Sequence, residues 1–370
     1  MSYYQVMRQI LTNDIEVPQP LERLGQIASF FLTAPQYFYR KIIAEVWLDK
    51  HPETKTVFNR EWNPSEMKFS SEYIMGDKNT KIKVKKGDKY ELILDYLNTN
   101  YTTRLEDEYN EFLLSINMNY TICDFTADYG YITIDAAKKG CKVIANSENQ
   151  MVYSMLLNNL SKNLLERLNQ VKIYNLQTDE FIKQIVSPSL DFFHVKKKPS
   201  PIDVIYINDP IKAMDYIKEI IRALRKTCEN RTIQSNIWNV GNLPKIYFYH
   251  SSTKILTKNF FVDKLKQIFE LECGYYSFND KCIIKMKENR NIYPNYYFYC
   301  LYIRIPAAAI FGVDYVKNHE VQIRPSICSL NIGDMLGFGI EQELPNLLGK
   351  REQLKPIPEK PIAKKAKLEE

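Results

Sequence analysis

Between Tyr120 and Tyr249 short apolar runs alternate with longer stretches of helical periodicity, and this alternation restricts the fold more than any other feature of the chain. Thr121-Ile-Cys-Asp-Phe125, Lys142-Val-Ile-Ala-Asn146, Val171-Lys-Ile-Tyr-Asn175, Asp203-Val-Ile-Tyr-Ile207 and Lys245-Ile-Tyr-Phe-Tyr249 read as five strands. Helical stretches near 131–139, 148–163, 178–186 and 211–228 separate them. Strand–helix–strand units close by right-handed crossovers, so the pattern predicts an α/β fold, a mostly parallel sheet with helices on both faces. A ligand of such a sheet sits outside the carboxyl ends of its strands. A further helix near 257–270 and the runs Cys282 to Met286 and Tyr296 to Ile305 predict an antiparallel edge.

The first hundred residues read differently. Lys41-Ile-Ile-Ala-Glu-Val-Trp47, Lys81-Ile-Lys-Val-Lys85 and Tyr90-Glu-Leu-Ile-Leu94 are strand-like runs between polar turns, which predict a small mixed α+β domain over residues 1–102. In the second run, alternation puts Ile82 and Val84 on one face and Lys81, Lys83 and Lys85 on the other. Thr103-Arg-Leu-Glu106 has the spacing of a capping box, and Leu105, Tyr109, Phe112 and Leu113 recur at helical intervals, so 103–119 is expected to be a linking helix. The sheet-forming part then occupies 120–312, followed by an extension over 313–349. A tail over 350–370 carries Pro356, Pro358 and Pro361 among lysines and is expected to be disordered.

Of 370 residues 45% are hydrophobic, enough for a full core, which excludes disorder throughout. The net charge is +6, and residues 350–370 alone supply half of that excess, so the body is only mildly basic. Seven cysteines without a C-x-x-C pair and only four histidines point to neither a disulfide framework nor structural zinc, and no metal is expected. A reducing compartment fits best. The most apolar window, Tyr296 to Val313, is cut by Arg304 and Pro306, and no secretory n-region and h-region open the chain. We therefore expect no membrane partner and a place in the cytoplasm, the nucleus or both, with the basic run Lys364-Lys-Ala-Lys367 as a candidate nuclear signal.

Four segments carry candidate chemistry. Asp124-Phe-Thr-Ala-Asp-Tyr-Gly130 lies between the first strand and its helix, where a nucleotide-type ligand needs close backbone approach; an ordinary turn is the plainer reading. At the end of the second strand, Ser147 or Glu148 can accept from a ribose diol, or Ser147 can cap the helix with Glu148 in its first turn. Asn208-Asp-Pro210 ends the fourth strand, whereas the similar Asn242-Leu-Pro244 precedes a strand and lies at the wrong end of the sheet. Arg104 and Glu108 are spaced i and i+4, as a solvated ion pair would be; the functional reading makes Glu108 a general base.

Taken in order, these segments resemble the eukaryotic and archaeal tRNA (guanine-37-N1)-methyltransferases of the Trm5 type. Glu16-Val-Pro-Gln-Pro-Leu-Glu-Arg-Leu-Gly-Gln-Ile-Ala28 is similar to the family's opening segment. Lys55-Thr-Val-Phe-Asn59 and Ile74-Met-Gly-Asp77 resemble its T-V-x-N and L-A-G-E landmarks. Thr103-Arg-Leu-Glu-Asp-Glu-Tyr109 resembles S-R-L-x-x-E-H. Asp124 to Gly130 stands at D-x-F-A-G-V-G, Ile207-Asn-Asp-Pro210 at N-L-P, and Tyr299-Cys-Leu-Tyr-Ile-Arg-Ile-Pro306 at Y-C-x-S-F-R-L-P.

The resemblance implies a class I, Rossmann-like methyltransferase domain that binds S-adenosyl-L-methionine and transfers its methyl group in line to N1 of guanosine 37. The implied RNA partner is the anticodon stem-loop of a tRNA, and the enzyme is expected to be monomeric, with a mitochondrial pool implied by the family. Glu108 falls on the general base and Asn208 on the Asn near the methyl donor. Tyr109 replaces a His lining the cofactor site; Asp124, Ser147, Glu148, Gln177 and Thr178 fall on cofactor positions. The family's Arg falls on Met67, so the neighbouring Lys68 is the candidate to stabilise charge at guanine O6. Arg104 and the lysines 81, 83 and 85 are the candidate RNA contacts, alongside Lys78, Lys86, Lys89 and Lys196-Lys-Lys198, although such clusters also serve as solvated surface. The departures gather in the cofactor pocket. Asp128 replaces a glycine, Ser147 an Asp and Gln177 a carboxylate, and Asp209 interrupts N-L-P. A catalytically weakened homologue that only binds RNA is therefore the alternative.

Overall fold

The structure is a computed structural model that describes residues 1–63, 68–86, 90–99, 102–186, 201–229, 238–274, 278–289, 292, 296–313 and 316. Met67, Lys89, Lys196–Lys198, the 350–370 tail with Lys364–Lys367, and nearly all of the 313–349 extension lie outside the described residues.

Helix α1 (Tyr3–Ile10) starts in a capping box between Ser2 and Gln5. Strands β1 (Glu22–Leu24) and β2 (Ile27–Phe30) form a hairpin, followed by α2 (Ala34–Phe38) and α3 (Arg40–Lys50). The run 41–47, expected as a strand, is therefore helical. Ile43, Ala44 and Trp47 lie at i, i+1 and i+4, which makes one buried helical stripe rather than a period of two, and Trp47 packs edge-on against Tyr3 and Phe30. β3 (Thr56–Asn63) pairs parallel with β2 and antiparallel with β4 (Lys68–Gly76), completing a four-stranded sheet. β5 (Lys81–Lys86) and β6 (Tyr90–Asp95) then form a separate two-stranded ribbon.

This ribbon has the expected faces: Ile82 and Val84 are buried while Lys81, Lys83 and Lys85 are exposed. Its buried side rests on the second half of the chain. Asn159 accepts from Ile93 N (2.9 Å) and donates to Ile93 O (2.9 Å) and Tyr129 O (3.0 Å), so one amide satisfies three backbone groups. Lys86 departs from the expected cationic surface; it is ion-paired to Asp135 and lies over the Tyr131 ring.

Helix α4 (Glu106–Ser115) follows a 3₁₀ turn at Thr103–Leu105, in place of the expected capping box. The reason is tertiary. The Thr102 hydroxyl, the Thr103 hydroxyl and the Thr103 N–H all donate to Glu22 Oε1 (2.9, 3.0 and 2.7 Å), which fastens the helix entry to β1.

The remaining elements are β7 (Thr121–Asp124), α5 (Tyr131–Lys138), β8 (Lys142–Asn146), α6 (Gln150–Asn163), β9 (Val171–Tyr174), α7 (Thr178–Val186), β10 (Val204–Ile207), α8 (Ala213–Glu229), β11 (Lys245–Ser252), α9 (Lys258–Cys273), β12 (Ile283–Asn289), β13 (Tyr297–Arg304) and α10 (Ala307–Phe311). They form a seven-stranded sheet in the order β12-β13-β11-β10-β7-β8-β9. The five strands from β11 to β9 are parallel, and β13 and β12 continue antiparallel, as the sequence predicts. Alternation along β10 sends Val204 and Tyr206 to the face covered by α4, α5 and α6, and Ile205 and Ile207 to the face covered by α7, α8 and α9. Burial on both faces explains why these strands read as continuous apolar runs. Among the described residues no helix is long and apolar enough to cross a membrane.

Candidate functional site

The loop leaving β7 turns at two residues with positive φ, Asp128 (48°) and Gly130 (90°). At Gly130 a Cβ would lie 2.7 Å from Leu156 Cδ1, so glycine is required both for the conformation and for the packing of α5 on α6. Asp128 adopts the left-handed region without that freedom, and its Oδ2 accepts from the Thr99 hydroxyl at 2.9 Å. The loop is tied to its neighbours by Phe125 N–H to Tyr206 O (2.9 Å) and Ala127 N–H to Asn146 O (2.9 Å).

A cleft opens between this loop and the ribbon. Asp124, Thr126, Asp128 and Asn208 face it from the strand ends, Leu92 and Leu94 from β6. Tyr109, Tyr129, Tyr131 and Tyr206 narrow it with aromatic surface. Asp124 is almost completely buried. The Thr133 hydroxyl donates to its Oδ2 at 2.7 Å, and Oδ1 is buried with no hydrogen-bond partner. Burial raises this carboxyl's pKa to about 7, partly offset by the bonds from Thr133. The backbone N–H of Asn208 donates to Thr126 Oγ1 at 2.7 Å, joining the loops after β7 and β10. Asp209, the residue that interrupts N-L-P, has a local role: its Oδ1 accepts from Ile211 N–H (3.1 Å) and Lys212 N–H (2.9 Å).

The second-strand candidates form a neighbouring cluster at the same sheet edge. Ser147 is buried but is not the helix cap; Asn149 is, accepting from Met151 and Val152 N–H. Glu148 lies before α6, and its Oε1 accepts from the N–H (2.6 Å) and hydroxyl of Thr178. Gln177 is exposed beside it. Asn146, which sequence reasoning passed over, fixes this edge by donating to Leu176 O and accepting from Leu176 N–H, both at 3.1 Å. Its position at a strand end was visible, but its partner was not.

Glu108 is the most buried acidic side chain of the helix entry, at 1% exposure. The expected pair with Arg104 is replaced: Lys287 Nζ lies 2.8 Å from Glu108 Oε1, and Asn289 Nδ2 donates to the same oxygen at 3.2 Å. Arg104 instead donates through Nε to Leu21 O at 2.9 Å, which makes it a brace between α4 and the N-terminal sheet. Lys68 opens β4, its backbone paired with Asn63. Lys81, Lys83 and Lys85 stand on the ribbon's solvent face, Lys83 within 3.4 Å of Glu91. Lys287 and Asn289 carried no sequence signal, since they lie on an edge strand far along the chain. Among the described residues no group of three metal-ligating side chains occurs.

A doubly wound sheet with an antiparallel extension, and a cleft at the carboxyl ends of its first and fourth strands, defines a class I methyltransferase fold. No family model matches the chain. Over 320 residues it is 25% identical to the tRNA (guanine(37)-N(1))-methyltransferase of Macaca mulatta, covering 85% of this chain and 59% of that one. The protein of the same name from Dictyostelium discoideum is 31% identical over 197 residues, 52% of this chain and 42% of that one. Among solved structures, the complex of aTrm5 and tRNALeu superposes with a TM-score of 0.56 at 17% identity, over 82% of this chain and 78% of that one. Over most of its length the chain is thus similar to proteins named tRNA (guanine(37)-N(1))-methyltransferase, and its fold is that of solved Trm5 structures. It spans about three-fifths of the length of the macaque relative.

The cleft suits in its chemistry the S-adenosyl-L-methionine that the resemblance implies. A buried carboxylate with one unpartnered oxygen accepts a donor, aromatic walls take apolar and cationic groups, and Glu148 and Thr178 offer polar atoms at the adjacent strand ends.

Proposed function

We propose that the chain methylates N1 of guanosine 37 in tRNA, using S-adenosyl-L-methionine and working as a monomer on the anticodon stem-loop. The observation that carries this reading is Glu108, a carboxylate sequestered from water on the helix where the resemblance places the general base, with Oε2 lacking a partner. The relatives' names support the same activity.

In this reading Asp124, Asn208 and Tyr109 hold the cofactor in the cleft, and Ser147, Glu148, Gln177 and Thr178 hold its nucleoside end. When bound, the cofactor supplies a methyl group made electrophilic by its sulfonium. Glu108 removes the N1 proton, and Lys68 is the candidate to stabilise charge at guanine O6. Lys81, Lys83 and Lys85 meet phosphates of the RNA, with Arg104 bracing the helix that presents Glu108. Proximity and proton removal are the two contributions the chain must make.

A second reading has two observations in its favour. Asp128 occupies a glycine position and the tyrosines narrow the cleft, which suits a homologue that binds RNA with weakened catalysis. Titration calorimetry with S-adenosyl-L-methionine, together with mass spectrometry of a tRNA transcript carrying G37 or A37, separates the two. Cofactor binding with methylation of the G37 transcript alone supports the first reading. RNA binding without cofactor binding replaces it with the second.

A further inference from the structure

The donors that meet Glu108 come from one face of the edge strand. Lys285, Lys287 and Asn289 alternate along β12, and all three reach toward α4: Lys285 pairs with Glu111, Lys287 with Glu108 and Glu111, and Asn289 with Glu108. Both donors to Glu108 use Oε1, at 2.8 Å and 3.2 Å, and Oε2 is left buried without a hydrogen-bond partner. From β11 and β13 the carboxylate is faced by Tyr247 and Cys300, and Glu111 adds negative charge on its own helix. A cation at 2.8 Å offsets the cost of taking a carboxylate out of water. The same contact raises the Lys287 pKa, chiefly through its hydrogen bond to Glu108.

We infer that Lys287 and Asn289 are positioning residues for the methyl transfer: they hold the Glu108 carboxylate by one oxygen, Oε1, with a cation beside it, so that Oε2 is the proton acceptor. This rests on the reading of Glu108 as general base. In the step itself the guanine N1–H bond breaks, an O–H bond forms at Oε2, and the electron pair stays on N1 for the new N–C bond. Glu108 ends as a neutral acid, and Lys287 remains charged throughout. Asn289 supplies direction without charge, so its loss and the loss of Lys287 have different signatures.

The test is a single-turnover pH–rate profile of the full chain with S-adenosyl-L-methionine and a tRNA transcript, in the parent and in K287M, K287R and N289A. K287M should move the acid limb up and so slow transfer severalfold on that limb while sparing the plateau, as expected for losing a cation within 4 Å of a base. K287R should keep the limb near its parental position, and N289A should slow transfer without moving it. A K287M rate that falls equally at every pH, or does not fall, overturns the proposal. A second readout needs no activity: in protein carrying ¹³C-dimethyl lysines, the Lys287 resonance, assigned by its loss in K287R, should titrate at lower pH in E108Q. An unchanged Lys287 titration overturns the pairing even if the parent is active. A parent that binds tRNA but transfers no methyl group overturns the function reading and the catalytic half of the proposal, whereas a shifted Lys287 titration would still uphold the ion pair.

Discussion

The Thr99 hydroxyl donates to Asp128 Oδ2 at 2.9 Å, from the end of the 3₁₀ turn that follows β6 to a loop residue held at a φ of 48°. The bond explains how a non-glycine residue is kept where the turn favours glycine. The left-handed region costs an L-residue about 1–2 kcal/mol, less for Asp, and a hydrogen bond returns about 1 kcal/mol. Asp128→Gly should therefore stay within about 1 kcal/mol of the parent, while Asp128→Val should lose about 2 kcal/mol or more. Urea denaturation midpoints at constant m-value report both.

Gly130 has no such compensation. Gly130→Ala places a methyl group 2.7 Å from Leu156 Cδ1 at a φ of 90° and should cost about 2 kcal/mol, measured in the same way.

Asn159 is the joint between ribbon and sheet. Asn159→Ala leaves Ile93 N–H, Ile93 O and Tyr129 O to find other partners, and should destabilise by about 3 kcal/mol. Limited proteolysis should then cut first within residues 81–95, whereas uniform cutting would place the joint elsewhere.

Asp124 gives a pH signature. Its folded pKa, near 7, lies above the unfolded value, so between about pH 4 and 7 the native state binds the extra proton. Stability from this group is therefore full below about pH 4 and declines by at most about 1.4 kcal/mol per unit until pH 7, then levels off. Asp124→Asn should remove that decline, and chemical denaturation at pH 5 and 8 tests it.

Glu108→Gln should slow single-turnover methyl transfer at least a hundredfold while leaving cofactor affinity almost unchanged, as loss of a general base does. Equal rates in variant and parent would take Glu108 out of the mechanism.

Replacing Lys81, Lys83 and Lys85 with Gln should weaken tRNA binding and flatten its dependence on log salt concentration, by up to about one for each phosphate that is no longer neutralised. Circular dichroism should not change, because all three side chains are on the solvent face. An unaltered salt slope would mean that the RNA is held on another surface.

Much of this arrangement could be read along the chain. The five parallel strands, their helices, the antiparallel edge and the cationic face of β5 all follow from periodicity, which needs only residues a few positions apart. The failures share a cause. Lys41 to Trp47 holds β-branched residues yet forms a helix, since its buried stripe faces Tyr3 and Phe30. Thr103 and Ser147 have the composition of caps, but Glu22 takes the threonine and Asn149 caps the helix.

Which residues could carry the chemistry is legible along the chain: Glu108 on a helix, and Asp124 and Asn208 at strand ends. What those residues touch depends on how the elements pack. Asn289 reaches Glu108 across 181 positions and Thr99 reaches Asp128 across 29, distances over which no local pattern carries information. A buried carboxylate takes whichever donors the packed sheet and helices bring within 3 Å or so, because leaving it unpaired away from water is too costly. The choice of Lys287 over the nearby Arg104 is therefore made by the packing of α4 on β12.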